Sequence, residues 1–326
     1  MTSFRGFAAV ALAVIGIGAL AVSGQDATTY PGSTPEQRDV FGRDVDLKSL
    51  VDSPANVGRL PVTVAVIDSG VAQAATDGVR VRQWRCLPTC EAERPRATTQ
   101  HGSQIASTVL DASTRTTDGP NPVGNAVRML SYRIVDDTGR IRIGGAARAL
   151  IQAREHGADI AVMSTVSFAD RKGLRRAVTG FGPRLIVAAA GNRSGSIDSG
   201  VPATYPCALP DPHILCVTTA RADGGLAREA ATGPISVDIA APGTGLAASN
   251  SHGRRVFVSG SSYATAVTAG AAVLVMLAEP GVTPLQAADA LITAAAAHPS
   301  LTDVTRSDGH LQVREAIDVA ARLQKS

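Results

Sequence analysis

From Pro61 onward, short apolar runs alternate with longer stretches in which apolar residues recur at helical spacing. Val62–Ile67, Val127–Val135, Asp159–Ser164 and Leu185–Ala189 are short and rich in Val and Ile, the pattern of strands buried on both faces. Ile214–Thr218 and Ser236–Ala240 extend the set. Between them, Gly102–Asp111, Gly144–His156 and Arg171–Gly180 read as helices. This alternation predicts an α/β fold, a mostly parallel sheet with helices on both faces. Functional side chains of such sheets gather at the carboxyl ends of strands. Asp68, directly after Ile67, falls at such an end.

Ser262 opens a run of Ala, Val, Leu and Thr that continues to about Ala278 and reads as a helix buried on most sides. Its apolar length is short for a membrane span, and Thr265 and Thr268 interrupt it. Thr283–Pro284–Leu285–Gln286 has the form of a helix start, with Thr as cap, Pro at the first position and Gln three on. A last helix is expected over Leu311–Leu323.

The N-terminal part follows different patterns. Residues 1–24 read as an export signal: Arg5 supplies the positive end, Phe7–Val22 is apolar, and Ala21–Gly24 offers small residues for cleavage. An uncleaved anchor is the alternative. Residues 25–60 are polar, with Pro31–Pro35 clustered, and read as a surface arm; residues 61–326 read as the main folded domain. A length of 326 residues with 44% hydrophobic and 18% charged residues suits one sizeable core. A net charge of +3 gives no reason to expect nucleic acid as a partner. Export would place the chain outside the cell or in its envelope, where the four cysteines form two disulfides. Three pairings exist on paper; the most economical joins Cys86 to Cys90 and Cys207 to Cys216. A zinc site is the rival use of four thiols, but the spacing lacks paired C-x-x-C knuckles.

Three segments carry candidate chemistry: V-A-V-I-D-S-G with Asp68, H-G-S-Q-I-A-S with His101, and S-G-S-S-Y-A-T-A with Ser262. A carboxylate, an imidazole and a hydroxyl are the parts that activate serine as a nucleophile at neutral pH. A fourth segment, A-A-A-G-N, ends at Asn192, whose amide is suited to stabilise an oxyanion. The chain order Asp, His, Ser is that of subtilisin. On these motifs the chain, from about Val62 to about Ala321, resembles the subtilisin-like serine proteases, the subtilases. The resemblance implies a subtilisin-like three-layer fold and an exported serine endopeptidase acting on polypeptides. Asp68 would orient His101, His101 would serve as base and Ser262 as nucleophile, and Asn192 would hold the oxyanion. No cofactor is required, calcium being an optional stabilising ion, and the chain is expected to be a monomer.

The sequence departs from the family pattern in several places. H-G-T-H-x-A becomes His101–Gly102–Ser103–Gln104–Ile105–Ala106, so an amide replaces the second imidazole. G-T-S-x-A becomes Gly260–Ser261–Ser262–Tyr263–Ala264, and the usual Pro further on is Ala266. Ala241–Pro242–Gly243 matches a segment read as structural. The strand reading Ser-Leu-Gly-Gly that lines the P1 pocket of family members becomes Ser164–Thr165–Val166–Ser167. Val166 there predicts a narrowed pocket preferring small P1 residues, or a partly occluded site. Ser164, Thr165 and Gly191 are the expected substrate contacts. The arm before Pro61 is about half the length of the inhibitory propeptide found in many relatives, which leaves room for a separate inhibitor or propeptide-like protein. Asp118, Asn121 and Asn125 form a candidate calcium loop. Two rival readings remain: a subtilase-like domain that binds peptides with little or no catalysis, and an esterase or amidase. The latter lacks the usual G-x-S-x-G elbow around Ser262.

Overall fold

The structure is a computed structural model that describes residues 61–114, 126–165, 167–168, 172–199 and 202–324. The expected signal, the polar arm, the calcium loop with Asp118, Asn121 and Asn125, and Val166 lie outside the described residues. In chain order the elements are β1 (Val62–Asp68), β2 (Val81–Cys86), β3 (Cys90–Glu93), α1 (His101–Thr114), β4 (Val127–Arg133), α2 (Ile143–Glu155), β5 (Ile160–Met163), α3 (Lys172–Thr179), β6 (Leu185–Ala189), β7 (Gly195–Ser196), β8 (Ile214–Ala220), β9 (Ala231–Thr232), β10 (Ile239–Pro242), β11 (Leu246–Ser249), β12 (Arg255–Val258), α4 (Ser261–Ala278), α5 (Pro284–Thr293), β13 (Ala296–Ala297), β14 (Gly309–His310) and α6 (Val313–Leu323).

Alternation along β1 shows how the three layers arise. Val62, Val64 and Val66 enter a core shared with α1, α4, α5 and α6, whereas Ala65 and Ile67 enter a second core with α2 and α3. Among the described residues the main sheet has the order β13–β14–β10–β8–β6–β5–β1–β4–β2–β3. It is parallel apart from the two edge pairs, β2–β3 and β13–β14. The chain leaves β1 for β2 and β4 on one side and then crosses to β5, β6 and β8 on the other. The carboxyl end of β1 is therefore the switch point of the sheet, where a crevice opens.

The long apolar runs form the expected strands and helices, with ends shifted by up to three residues. Two of these shifts are informative. The strand expected at Ser236–Ala240 is β10, Ile239–Pro242, because Asp238 turns inward to accept the Cys216 N–H at 2.7 Å. Ser261 rather than Ser262 opens α4. Its residues Ser261–Leu277 are all buried. By length and composition α4 could cross a membrane, yet 89% of it lies inside the protein, which makes it a core helix. The capping box at α5 forms as expected, Gln286 N–H donating to Thr283 Oγ1 at 3.2 Å and Thr283 N–H to Gln286 Oε1 at 2.9 Å. Both local disulfides are present, Cys86–Cys90 and Cys207–Cys216, so no thiol remains for zinc.

A buried cation near the crevice was not expected. Arg133, paired in register with Asp68, lies inside an apolar run and is fully buried. Glu93 on β3 takes its guanidinium in a two-pronged bond, 2.7 Å at Nε and 3.1 Å at Nη2, while Thr98 Oγ1 and the Val135 carbonyl accept from Nη1. Removing one partner of such a pair typically costs about 3–5 kcal/mol, because the other charge stays buried. The disulfide-closed hairpin β2–β3 is thereby tied to the loop that leads into α1.

Candidate active site

Asp68 ends β1 and is buried. Its Oδ1 accepts the Ser69 N–H at 2.7 Å, and both carboxylate oxygens face His101 Nδ1, at 2.9 and 3.0 Å. His101, the first residue of α1, is also buried. The carboxylate fixes the tautomer: Nδ1 carries the proton and Nε2 keeps a lone pair. Burial is the largest influence on the imidazole and disfavours its cation. The charge and hydrogen bond of Asp68 together outweigh it, and the pKa of His101 is held above its ordinary value.

Two glycines let the strand end and the helix start meet. Gly70 has φ of +93°, a region that favours glycine, and a Cβ there would lie 2.2 Å from the Arg96 carbonyl oxygen. A Cβ on Gly102 would lie 2.3 Å from the Gly70 carbonyl oxygen. In the space so gained, Gly102 N–H donates to Ser69 Oγ at 3.0 Å and Ala72 N–H to Ser103 Oγ at 3.0 Å. The turn after β1 thus supplies an acceptor, Ser69 Oγ, to an N–H at the start of α1 that has no partner in the helix, and a donor, Ala72 N–H, to Ser103.

Ser262 lies in the first turn of α4. Its hydroxyl donates to the Ser164 carbonyl at 2.9 Å, and Ser164 Oγ donates back to the Ser262 carbonyl at 3.2 Å. Ser164 follows β5, so this exchange ties the sheet to α4. In this structure the Ser262 hydroxyl is bonded to the Ser164 carbonyl rather than to His101. Asn192 follows β6 and Gly191. Its Oδ1 accepts the Ser261 N–H at 2.7 Å, which leaves Nδ2 as the donor end of the side chain. Gly260, at φ of +134°, gives the amide room, since a Cβ there would lie 3.0 Å from Asn192 Nδ2. Gly191, at φ of +113°, donates its N–H to Ser261 Oγ at 3.2 Å. Thr165, beside Ser164, is half-buried.

Comparisons with known proteins bear on the family and the fold. The sequence profile of the subtilase family matches residues 61–314. The chain belongs to the subtilase family. Subtilisin amylosacchariticus of Bacillus subtilis subsp. amylosacchariticus is 26% identical over 231 residues, covering 71% of this chain and 59% of that protein. Alkaline elastase YaB of Bacillus sp. (strain YaB) is 30% identical over 226 residues, 67% of this chain and 55% of that protein. This subtilase thus spans less than two thirds of the length of those curated relatives. Among solved structures, the A-subunit of the AB5 toxin from E. coli aligns with a TM-score of 0.69 at 22% identity, over 88% of this chain and 99% of that one. A cold adapted subtilisin-like serine proteinase aligns with a TM-score of 0.62 at 23% identity, over 77% of this chain and 86% of that one. At such identities the structures speak to the fold, which is subtilisin-like.

In this subtilase Asp68 bonds His101 directly, the Tyr263 ring next to Ser262 meets the His101 ring, and Asn192 takes the N–H of Ser261, so the four candidate residues, dispersed in sequence, are linked through close contacts. An imidazole with its Nδ1–H engaged, a hydroxyl at a helix start and a side-chain amide are the parts that acyl transfer requires. Among the described residues, no group of three or more His, Cys, Asp or Glu side chains is placed to hold a metal ion. Sequence reasoning missed Tyr263, whose ring meets the His101 ring at 5.8 Å between centroids and whose hydroxyl donates to Gln104 Oε1 at 2.9 Å. An aromatic residue directly after the candidate nucleophile was the available signal.

Proposed function

We propose that this chain is an exported serine endopeptidase that hydrolyses peptide bonds through an acyl-enzyme. Ser262 Oγ passes its proton to His101 Nε2 and attacks the peptide carbonyl carbon. The oxyanion that forms takes hydrogen bonds from Asn192 Nδ2 and from the Ser262 backbone N–H, which lies in the first turn of α4 where the helix offers it no acceptor. Asp68 holds the imidazole and favours its cation. His101 then gives the proton to the leaving amine, and water, deprotonated in turn by His101, hydrolyses the ester.

The observation that carries this reading is the buried Asp68–His101 pair, in which both carboxylate oxygens lie within 3.0 Å of Nδ1. Buried carboxylate–imidazole pairs that shift one another's protonation cluster at functional sites. The two disulfides support a location outside the cytoplasm, and the polypeptide-cleaving chemistry follows the family. The preference for small P1 residues rests on Val166, and the contacts of Ser164, Thr165 and Gly191 with substrate remain part of the proposal. Calcium, a separate inhibitor and a monomeric state stand on the same footing.

The rival reading is a subtilase-like domain that binds peptides without cutting them, and the bond from Ser262 to the Ser164 carbonyl favours it. A fluorophosphonate probe separates the two. Labelling of the folded chain that is lost in Ser262→Ala supports the peptidase, and casein hydrolysis then separates it from an esterase. Folded chain that takes no label supports the binding domain.

A further inference from the structure

Tyr263 stands one residue after the candidate nucleophile, and Gln104 stands one helical turn after the candidate base. Both side chains are buried. The phenol donates to the Gln104 amide oxygen at 2.9 Å, and its ring meets the His101 imidazole edge-on, with centroids 5.8 Å apart and planes at 61°. A buried phenol without a partner costs roughly 1–3 kcal/mol, so the tyrosine needs an acceptor where it lies. A glutamine meets that need without carrying a proton of its own.

We propose that Tyr263 and Gln104 form a positioning pair that locks the helix of the base to the helix of the nucleophile and fixes the His101 ring between them. The inference rests on the peptidase reading and deepens it. α1 and α4 run side by side, and this bond joins them within a turn of both reacting groups. An imidazole at position 104 would be able to gain a proton and would then oppose the cation that His101 becomes during the reaction. The neutral amide cannot. Among the described residues, the titratable groups placed against His101 are Asp68 from β1 and the Tyr263 phenol from α4; burial, and after it the Asp68 charge, pushes the pKa of that phenol up.

The test uses the pH dependence of fluorophosphonate labelling of the full chain, with thermal melting as a control for folding. Tyr263→Phe keeps the ring and breaks the bond. Its plateau rate is expected to fall about tenfold, short of the roughly 10²-fold that a 1 Å misplacement can cost. Gln104→Glu keeps an acceptor for the phenol and adds a negative charge beside the imidazole. Its plateau is expected to stay within about threefold of the wild type, while the acid limb moves to higher pH. Labelling of Tyr263→Phe at the wild-type rate, or a fall no larger than its unfolded fraction explains, overturns the pair. A Gln104→Glu limb that does not move overturns the placement beside His101. Wild-type chain that takes no label defeats the peptidase reading itself and this inference with it, an outcome distinct from a labelled wild type with unaffected variants.

Discussion

His101 must be neutral to accept a proton, so its affinity for protons sets the lower pH bound of the proposed reaction. Asp68 raises that affinity and burial lowers it. The acid limb of labelling by the wild-type chain is therefore expected above about 6.5, the ordinary imidazole value. Asp68→Asn removes the charge and leaves the burial, so its limb should fall below that value while the plateau drops by about 10⁴. Rates across pH 5–9 check both; a limb that stays in place would mean that another group governs it. The four candidate residues could be singled out because each sits in a run of neighbours that chemistry constrains: glycine close after Asp68 and His101, small residues before Asn192, a helix start at Ser262. The bonds between Ser164 and Ser262, and between Tyr263 and Gln104, were not legible. They depend on how closely separate elements approach, and no local pattern reports that.

At the scale of elements, the contact between the turn after β1 and the start of α1 decides whether base and carboxylate meet. Gly102→Ala would press a methyl group against the Gly70 carbonyl, 2.3 Å away on a turn already held by Gln83, whose Oε1 takes the Val71 N–H. The expected loss of stability is about 1–3 kcal/mol. The expected loss of labelling is about 10²-fold, because the strain falls on the Asp68–His101 geometry. Melting and labelling measured together check this; equal losses would reduce the glycine to a packing role. The strands of the central sheet were readable as apolar runs. The hairpin β2–β3 was not, because Arg82 and Arg85 interrupt Val81–Cys86 and its second strand reads Cys-Glu-Ala-Glu. Arg133 was hidden for the opposite reason, a charge inside a run that otherwise reads as core.

For the whole molecule, stability depends on a carboxyl far from the crevice. Asp238 accepts the Cys216 N–H, and Arg306 lies 2.8 Å away. Burial outweighs both partners and pushes its pKa up to about 6. Folding therefore favours the protonated form. Its contribution is complete below the unfolded value near 4 and is lost as pH rises through about 6, a change of up to about 3 kcal/mol. Asp238→Asn keeps an acceptor for Cys216 and gives up an ion pair to an arginine that is 56% exposed, which is worth little. Melting temperatures of this variant between pH 4 and 7 are expected to decline less steeply than those of the wild type; an unchanged slope would place the titration elsewhere. The layered architecture followed from alternating strands and helices, whereas the strand order did not, since parallel strands are joined over long crossovers that leave no mark on either strand.

The buried helix α4 gives the site an uneven tolerance of change. Asp68, His101 and Asn192 sit on a strand end, a helix start and a loop, and each could drift to another residue while most of the sheet survived. Ser262 belongs to the rod around which the larger core is assembled, so its surroundings are kept by the demands of folding alone. In a lineage released from catalysis, the stretch from Gly260 to Ala278 would outlast the other three motifs. Retention of the carboxylate, the imidazole and the amide is accordingly the better witness that selection still acts on the reaction.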